Sequence, residues 1–116
     1  MHNFRELNIW KESIDIASAI YEKTKSFPVE GRFGIISQIH RSAVSIPSNI
    51  AEESARKSNK DFSRFLEISL GSCFELETQL ILAAKFGYMN DDDLSELSSK
   101  LQVIQKMISS FKEKLS

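Results

Sequence analysis

Apolar residues recur at steps of three and four in four stretches of this chain, the spacing that lines one face of an α-helix. The first stretch runs from about Phe4 to Lys25. Leu7, Trp10, Ile14, Ala17 and Tyr21 form its stripe, and Ile9, Ile16 and Ile20 widen it. Asn3 or Asn8 suits the N-cap, where a side-chain oxygen takes a free backbone N–H. Phe27-Pro28 ends the helix, because proline disfavours helical geometry in the residue before it. The second stretch runs from about Glu30 to Arg56, with Ile36, Ile39, Ala43, Ile46 and Ile50 on its apolar side. Roughly opposite lies a polar row of Gln38, Arg41, Ser45, Asn49 and Glu52. Pro47 interrupts the helix between them. It has no N–H for the carbonyl of Ala43 and its ring crowds that turn, so the pattern predicts a kink, or a short break with Ser45 as a new cap.

The third stretch, about Asn59 to Phe86, opens at Ser58, with Asp61 three residues on as in a capping box. Phe62, Leu66, Ser69, Cys73, Leu76, Leu80 and Ala83 make its main stripe, and Leu70, Phe74 and Ile81 lie on another face. A helix apolar on two sides needs two partners, so this one is expected to be the most buried or to face another subunit. Gly87 past its end fits a left-handed C-cap, with Tyr88 as the hydrophobic contact. In the fourth stretch Asn90 is a good cap, and Asp91, Asp92 and Asp93 suit the positive end of the helix dipole. Leu94, Leu97, Leu101, Ile104, Ile108, Phe111 and Leu115 follow at heptad spacing. Four helices joined by short links must lie antiparallel to their neighbours. The expected fold is all-α, an up-down-up-down antiparallel four-helix bundle that takes residues 1–116 as a single domain.

The tight link at Lys57-Ser58 sets a register between helices two and three. It places Arg41 near Glu75, Gln38 near Thr78 and Gln79, Ser45 near Gly71, Asn49 near Glu67 and Glu52 near Arg64. Opposite charges meet, and small residues meet small residues. This predicts a polar seam, with Arg41–Glu75 and Glu52–Arg64 as ion pairs and Ser45, Asn49, Ser72 and Gln79 filling hydrogen bonds. A buried seam must be fully satisfied, since removing one partner of a buried pair costs about 3–5 kcal/mol. On a solvated face the same pairs are worth ~0–1 kcal/mol each. The pattern leaves both readings open.

Composition narrows the classes. With 41% hydrophobic and 27% charged residues in 116, the chain is globular rather than disordered. Four glycines and two prolines are too few for a turn-rich all-β fold. A net charge of −1 and a pI of about 6.1 give no whole-chain pull toward nucleic acid or an anionic membrane. Cys73 is the one cysteine, which excludes an intrachain disulfide and a zinc cluster of cysteines, and suits a reducing compartment. Met1 to Glu6 shows no apolar signal core, and no run approaches the ~20 apolar residues of a membrane span. A cytoplasmic location is the expectation.

Several of these residues form a larger pattern. Phe4-x-x-Leu7-x-Ile9-Trp10, Phe27-Pro28, Gly34, Gln38, Arg41, the run Ser45-Ile46-Pro47-Ser48-Asn49-Ile50-Ala51-Glu52, Phe65-Leu66, Gly71-Ser72, Glu75-Leu76 and Gln79-Leu80 together resemble the small bacterial four-helix-bundle family of 23S rRNA intervening-sequence proteins. The resemblance covers nearly the whole chain. Its most specific part is the Ser-Ile-Pro-Ser-Asn-Ile-Ala-Glu run, because proline inside a helical pattern is rare. It implies a bundle that assembles as a ring-like homopentamer, without enzyme activity or cofactor. A related branch, the accessory variability proteins of diversity-generating retroelements, is similar in fold and binds nucleic acid and a reverse transcriptase through a basic surface. This chain departs from the pattern twice. The motif usually continues Glu-Gly-x-Gly-Arg, where this chain has Glu52-Glu53-Ser54-Ala55-Arg56, which should make the end of helix two more regular. It is also slightly acidic, where the nucleic-acid-binding branch is strongly basic.

Each residue that could carry chemistry also has a plainer role. Nucleic-acid binding would rest on Arg32, His40, Arg41, Arg56, Lys57, Lys60 and Arg64, a slight local excess of positive charge that a pentamer would repeat. No aromatic platform interleaves with it, as single-strand binders need, and capping and loop charges explain the same residues. His2 is terminal. His40 has no Cys or second His at helical spacing and reads as a surface or interface histidine. Cys73 lies on an apolar stripe, which favours inert packing. Asp91, Asp92 and Asp93 point in different directions around a helix, so capping explains them better than a metal. Glu52, Glu67 and Glu75 lack the Glu-x-x-His partners of di-iron bundles. Trp10 and the phenylalanines suit the core or a subunit interface. The resulting expectation is a non-enzymatic homo-oligomeric scaffold or binding module. Gln38, Arg41, Ser45, Pro47, Asn49, Glu52, Arg64, Gly71, Ser72, Glu75 and Gln79 form its structural motif. The alternative is a nucleic-acid accessory protein acting on structured RNA or with a reverse transcriptase.

Overall fold

The computed structural model describes residues 3–29, 34–55 and 58–115. A 3₁₀ turn, Phe4–Glu6, leads into four helices: α1 (Asn8–Thr24), α2 (Ile35–Glu53), α3 (Asn59–Lys85) and α4 (Asp91–Leu115). There is no strand among the described residues. α1 and α3 each pack on both α2 and α4, so the four helices close a square with the core inside. At ~1.5 Å per residue α3 is about 40 Å long. That nearly spans the 44 Å long axis of the molecule, whose other extents are 23 and 20 Å, so the helices run along its length. No helix among the described residues is long and apolar enough to cross a membrane.

Where the apolar period is unbroken, the helices bury the residues it picks out. Phe62, Leu66, Ser69, Cys73, Leu76, Leu80 and Ala83 of α3 are buried. So are Leu97, Leu101, Ile104 and Ile108 of α4, with Leu94, Phe111 and Leu115 packed against that core. Polar caps end these helices as expected. The Ser58 hydroxyl accepts from the N–H groups of Lys60 and Asp61 at 3.1 and 3.3 Å. Asn90 Oδ1 accepts from the N–H of Asp93 at 2.7 Å. Gly87 takes φ +84°, which lets Tyr88 N–H reach Ala83 O at 2.9 Å and Gly87 N–H reach Ala84 O at 3.0 Å. The pair is a Schellman cap, and the Tyr88 ring folds back to 5.8 Å from Phe27.

α1 differs from the expectation, and of the two outcomes expected at Pro47 in α2 the short break is excluded. α1 starts at Asn8, and Asn3 caps the 3₁₀ turn instead, accepting from Arg5 N–H at 3.2 Å. Its buried row is Ile9, Ser13, Ile16, Ile20 and Thr24, while Ile14 and Tyr21 of the expected stripe face outward. The face is turned because two of its inward positions are polar. Ser13 and Thr24 nevertheless bury at small cost, since each hydroxyl donates to the carbonyl three residues back, Trp10 O at 2.8 Å and Tyr21 O at 3.1 Å. α2 runs unbroken through Pro47, which is buried. Ser45 caps no second helix. Its hydroxyl donates to Ser42 O at 2.8 Å.

Candidate functional site

The polar seam between α2 and α3 centres on Glu75. Ser42 Oγ donates to Glu75 Oε1 at 3.2 Å, which places the register of the two helices within one residue of the expected one. Gln79, buried one turn further along α3, donates its Nε2 to the same oxygen at 3.2 Å. Both bonds end on Oε1, and Glu75 itself is exposed. Around it the seam opens outward. Gln38, Arg41, Glu52, Arg64 and Gly71 are exposed, Ser45, Asn49 and Ser72 are half-buried, and Pro47 and Gln79 are buried.

The expected ion pairs are absent. Among the described residues the ion pairs are Lys23–Asp93 at 3.0 Å, Lys25–Glu22 at 3.1 Å, Lys100–Glu96 at 3.5 Å and Lys112–Glu67 at 2.9 Å. Arg41–Glu75 and Glu52–Arg64 are not in that set. The cause is helical rotation. Ser42 is the residue that points at Glu75, so Arg41, about 100° behind it, points past α3 into solvent. Glu67 likewise turns from Asn49 to α4, where Lys112 holds it.

Gly71 has no packing reason within the chain. A Cβ built on it would meet nothing within 4 Å. A glycine inside a helix costs roughly 0.5–1 kcal/mol relative to alanine, so this one is a local cost without a local return.

Of the described residues considered for nucleic acid, His40 and Arg41 lie on α2 and Lys60 and Arg64 on α3. Arg32, Arg56 and Lys57 lie outside the described residues. Lys60 and Arg64 are exposed at the start of α3. His40 lies on the α1 side of α2, its Nε2 2.7 Å from Thr24 Oγ1 and its ring 5.3 Å from that of Tyr21. The Thr24 hydroxyl also lies 3.1 Å from Tyr21 O, and which of Thr24 and His40 donates between them follows the imidazole tautomer. Cys73 is buried, and desolvation, with a smaller push from the Glu77 carboxylate, raises its thiol pKa to about 12. Such a thiol holds almost no thiolate at neutral pH. No three His, Cys, Asp or Glu side chains converge as a metal set among the described residues.

Apolar surface is the other feature. Phe74 and Ile81 on the second face of α3 are 53% and 39% exposed. With Thr78, Gln102 and Gln105 they line a groove of about 340 Å³ between α3 and α4, and Gln105 Nε2 donates to Glu77 Oε1 there at 2.8 Å. Ile14 and Tyr21 on α1 and Val44 on α2 are exposed as well.

Ser42 is the seam residue that the sequence pattern missed. Its signal was a hydroxyl three residues after Ile39, on the face that Ile39, Ala43 and Ile46 share. The Lys23–Asp93 tie joins residues too far apart in the chain for any local signal.

No curated protein matches the chain. A solved structure from Bacteroides thetaiotaomicron VPI-5482, a protein with unknown function from the S23 ribosomal protein family, is similar at a TM-score of 0.82 and 28% identity. The match covers 90% of this chain and 97% of that one. The family model described as 23S rRNA-intervening sequence protein matches residues 5–110. With that match over nearly all its length, on a four-helix bundle that carries the motif across α2 and α3, the chain belongs to the 23S rRNA-intervening sequence protein family.

Proposed function

We propose that this protein is a non-enzymatic homo-oligomeric scaffold whose copies join through surface that one chain leaves bare. The carrying observation is the second face of α3, where Phe74 and Ile81 stand half in water in a shared groove. Single exposed apolar side chains are ordinary, but two that share one groove rimmed by polar groups are the kind of surface that protein contacts cover. The inert Cys73 thiol and the engaged His40 support a role without catalysis. The resemblance to ring-forming bundles puts the number of copies at five. Light scattering on the purified chain tests the reading. The expected mass is near five times 13.2 kDa. A mass of 13.2 kDa at micromolar concentration would overturn it.

A further inference from the structure

We propose that the α2–α3 face is itself a contact between copies, in which α3 of one copy lies beside α2 of the next. Glu75 then meets Arg41 of the next copy, and Arg64 meets its Glu52. The inference rests on the self-association reading and adds to the α3–α4 groove a second surface that joins the copies.

The argument begins with the arrangement of charge. The Ser42–Glu75 bond puts Arg41 and Glu75 at one level of the bundle. Roughly three helical turns away, Glu52 and Arg64 share a second level by the same register. Each level carries one positive and one negative group, and the left-to-right order is reversed between them. Copies set side by side repeat this pattern, so every junction brings α3 of one copy to α2 of its neighbour. At the first level that junction is Glu75 against arginine, and at the second it is Arg64 against glutamate. All four side chains are exposed, and none belongs to the ion pairs of the described residues. A face of one sign would repel its own copy, whereas this one attracts it and selects its register.

The space between the two levels suits close approach. Gly71 offers no Cβ and has open room above it. Ser45 and Ser72 are small. Ile68 and Leu82, on the same side of α3 as Gly71, are 46% and 39% exposed and supply apolar area. Glu75 is also oriented in advance. Ser42 and Gln79 both bond Oε1, which holds the carboxylate in place and leaves Oε2 without a hydrogen bond among the described residues. A guanidinium from outside finds a fixed acceptor there. Arg41, the second carboxylate oxygen of Glu75 and the bare Cα of Gly71 find partners between chains that they lack within one.

The test compares Arg41→Glu, Glu75→Arg and Gly71→Arg with the wild-type chain by light scattering, with circular dichroism as the check on helix content. Each charge reversal sets like charges at every junction, so the mass falls toward 13.2 kDa while helix content holds. Mixing the two reversed variants in equal amounts raises the mass above that of either alone, because each supplies the sign the other has lost at every junction between unlike copies, although a ring of five keeps one junction between like copies. That recovery cannot arise from a contact within one chain. Gly71→Arg lowers the mass without lowering the melting temperature of the dilute subunit, and it decides the matter should a charge variant fail to fold. Wild-type mass retained in the folded variants, or no recovery on mixing, overturns the assignment of this face. A wild-type chain of 13.2 kDa would overturn self-association itself, so the two failures are distinguishable.

Discussion

Ser69 and Gln79 each bring an oxygen into the bundle that finds no partner among the described residues, Ser69 Oγ and Gln79 Oε1. An orphaned buried polar atom costs about 1–3 kcal/mol, and an alanine at Ser69 would leave a void of only one oxygen. Ser69→Ala is therefore expected to raise stability by about 1 kcal/mol in urea denaturation. A loss of that size would mean that the hydroxyl has a partner. Cys73 gives a second measurable effect, through pH. Its folded pKa of about 12 lies above the ordinary thiol value of 9.0, so its contribution to stability is complete below pH 9 and is lost as pH rises from 9 toward 12. The slope reaches at most about 1.4 kcal/mol per pH unit. Urea denaturation of wild type and Cys73→Ala at pH 7.5 and pH 10.5 isolates it, with the gap between the two proteins narrowing at the higher pH. A gap independent of pH would mean that the thiol is not desolvated. The positions of Ser69 and Cys73 on the α3 stripe were legible in the sequence. Whether a hydroxyl there is satisfied was not, because satisfaction depends on atoms from other turns and other helices.

Helices separate what a pattern can tell from what packing decides. α3 and α4 were legible because their apolar period is unbroken and their caps are local chemistry. α1 was turned to another face because Ser13 and Thr24 satisfy their own hydroxyls and so pass as core residues. At Pro47 the local rule allowed a break, and the chain instead continues as one helix with the ring buried. The α2–α3 register was legible because the link is short. The ion pairs were not, because one residue of slip turns a side chain by about 100°. Two glycines in and after α3 make opposite predictions on this scale. Gly87 has φ +84°, so Gly87→Ala strains the cap and is expected to cost about 1–2 kcal/mol. Gly71 is helical with open space beside it, so Gly71→Ala is expected to stabilise the dilute subunit by ~0.5–1 kcal/mol. Denaturation curves of both variants at low concentration check the pair. A Gly71→Ala subunit less stable than wild type would show that the glycine serves its own chain after all.

For the whole molecule, stability and assembly should be linked. A second apolar face on α3 could be read from the sequence, but its cover is not a property of one chain. Whatever covers Phe74 and Ile81 binds the folded bundle and not the unfolded chain. Mass action then makes the melting temperature rise with protein concentration. The double variant Phe74→Ser with Ile81→Ser should flatten that rise. It should change the melting temperature of the dilute protein little, since both side chains already stand half in water and exposed substitutions usually fall within about 0.5 kcal/mol. Scanning calorimetry over a hundredfold range of concentration, for both proteins, separates the cases. If the groove is only surface, the two proteins behave alike at every concentration. If the groove instead packs within the subunit in solution, the variant loses stability equally at all concentrations. Only burial between copies makes the two curves meet on dilution and part as the protein is concentrated.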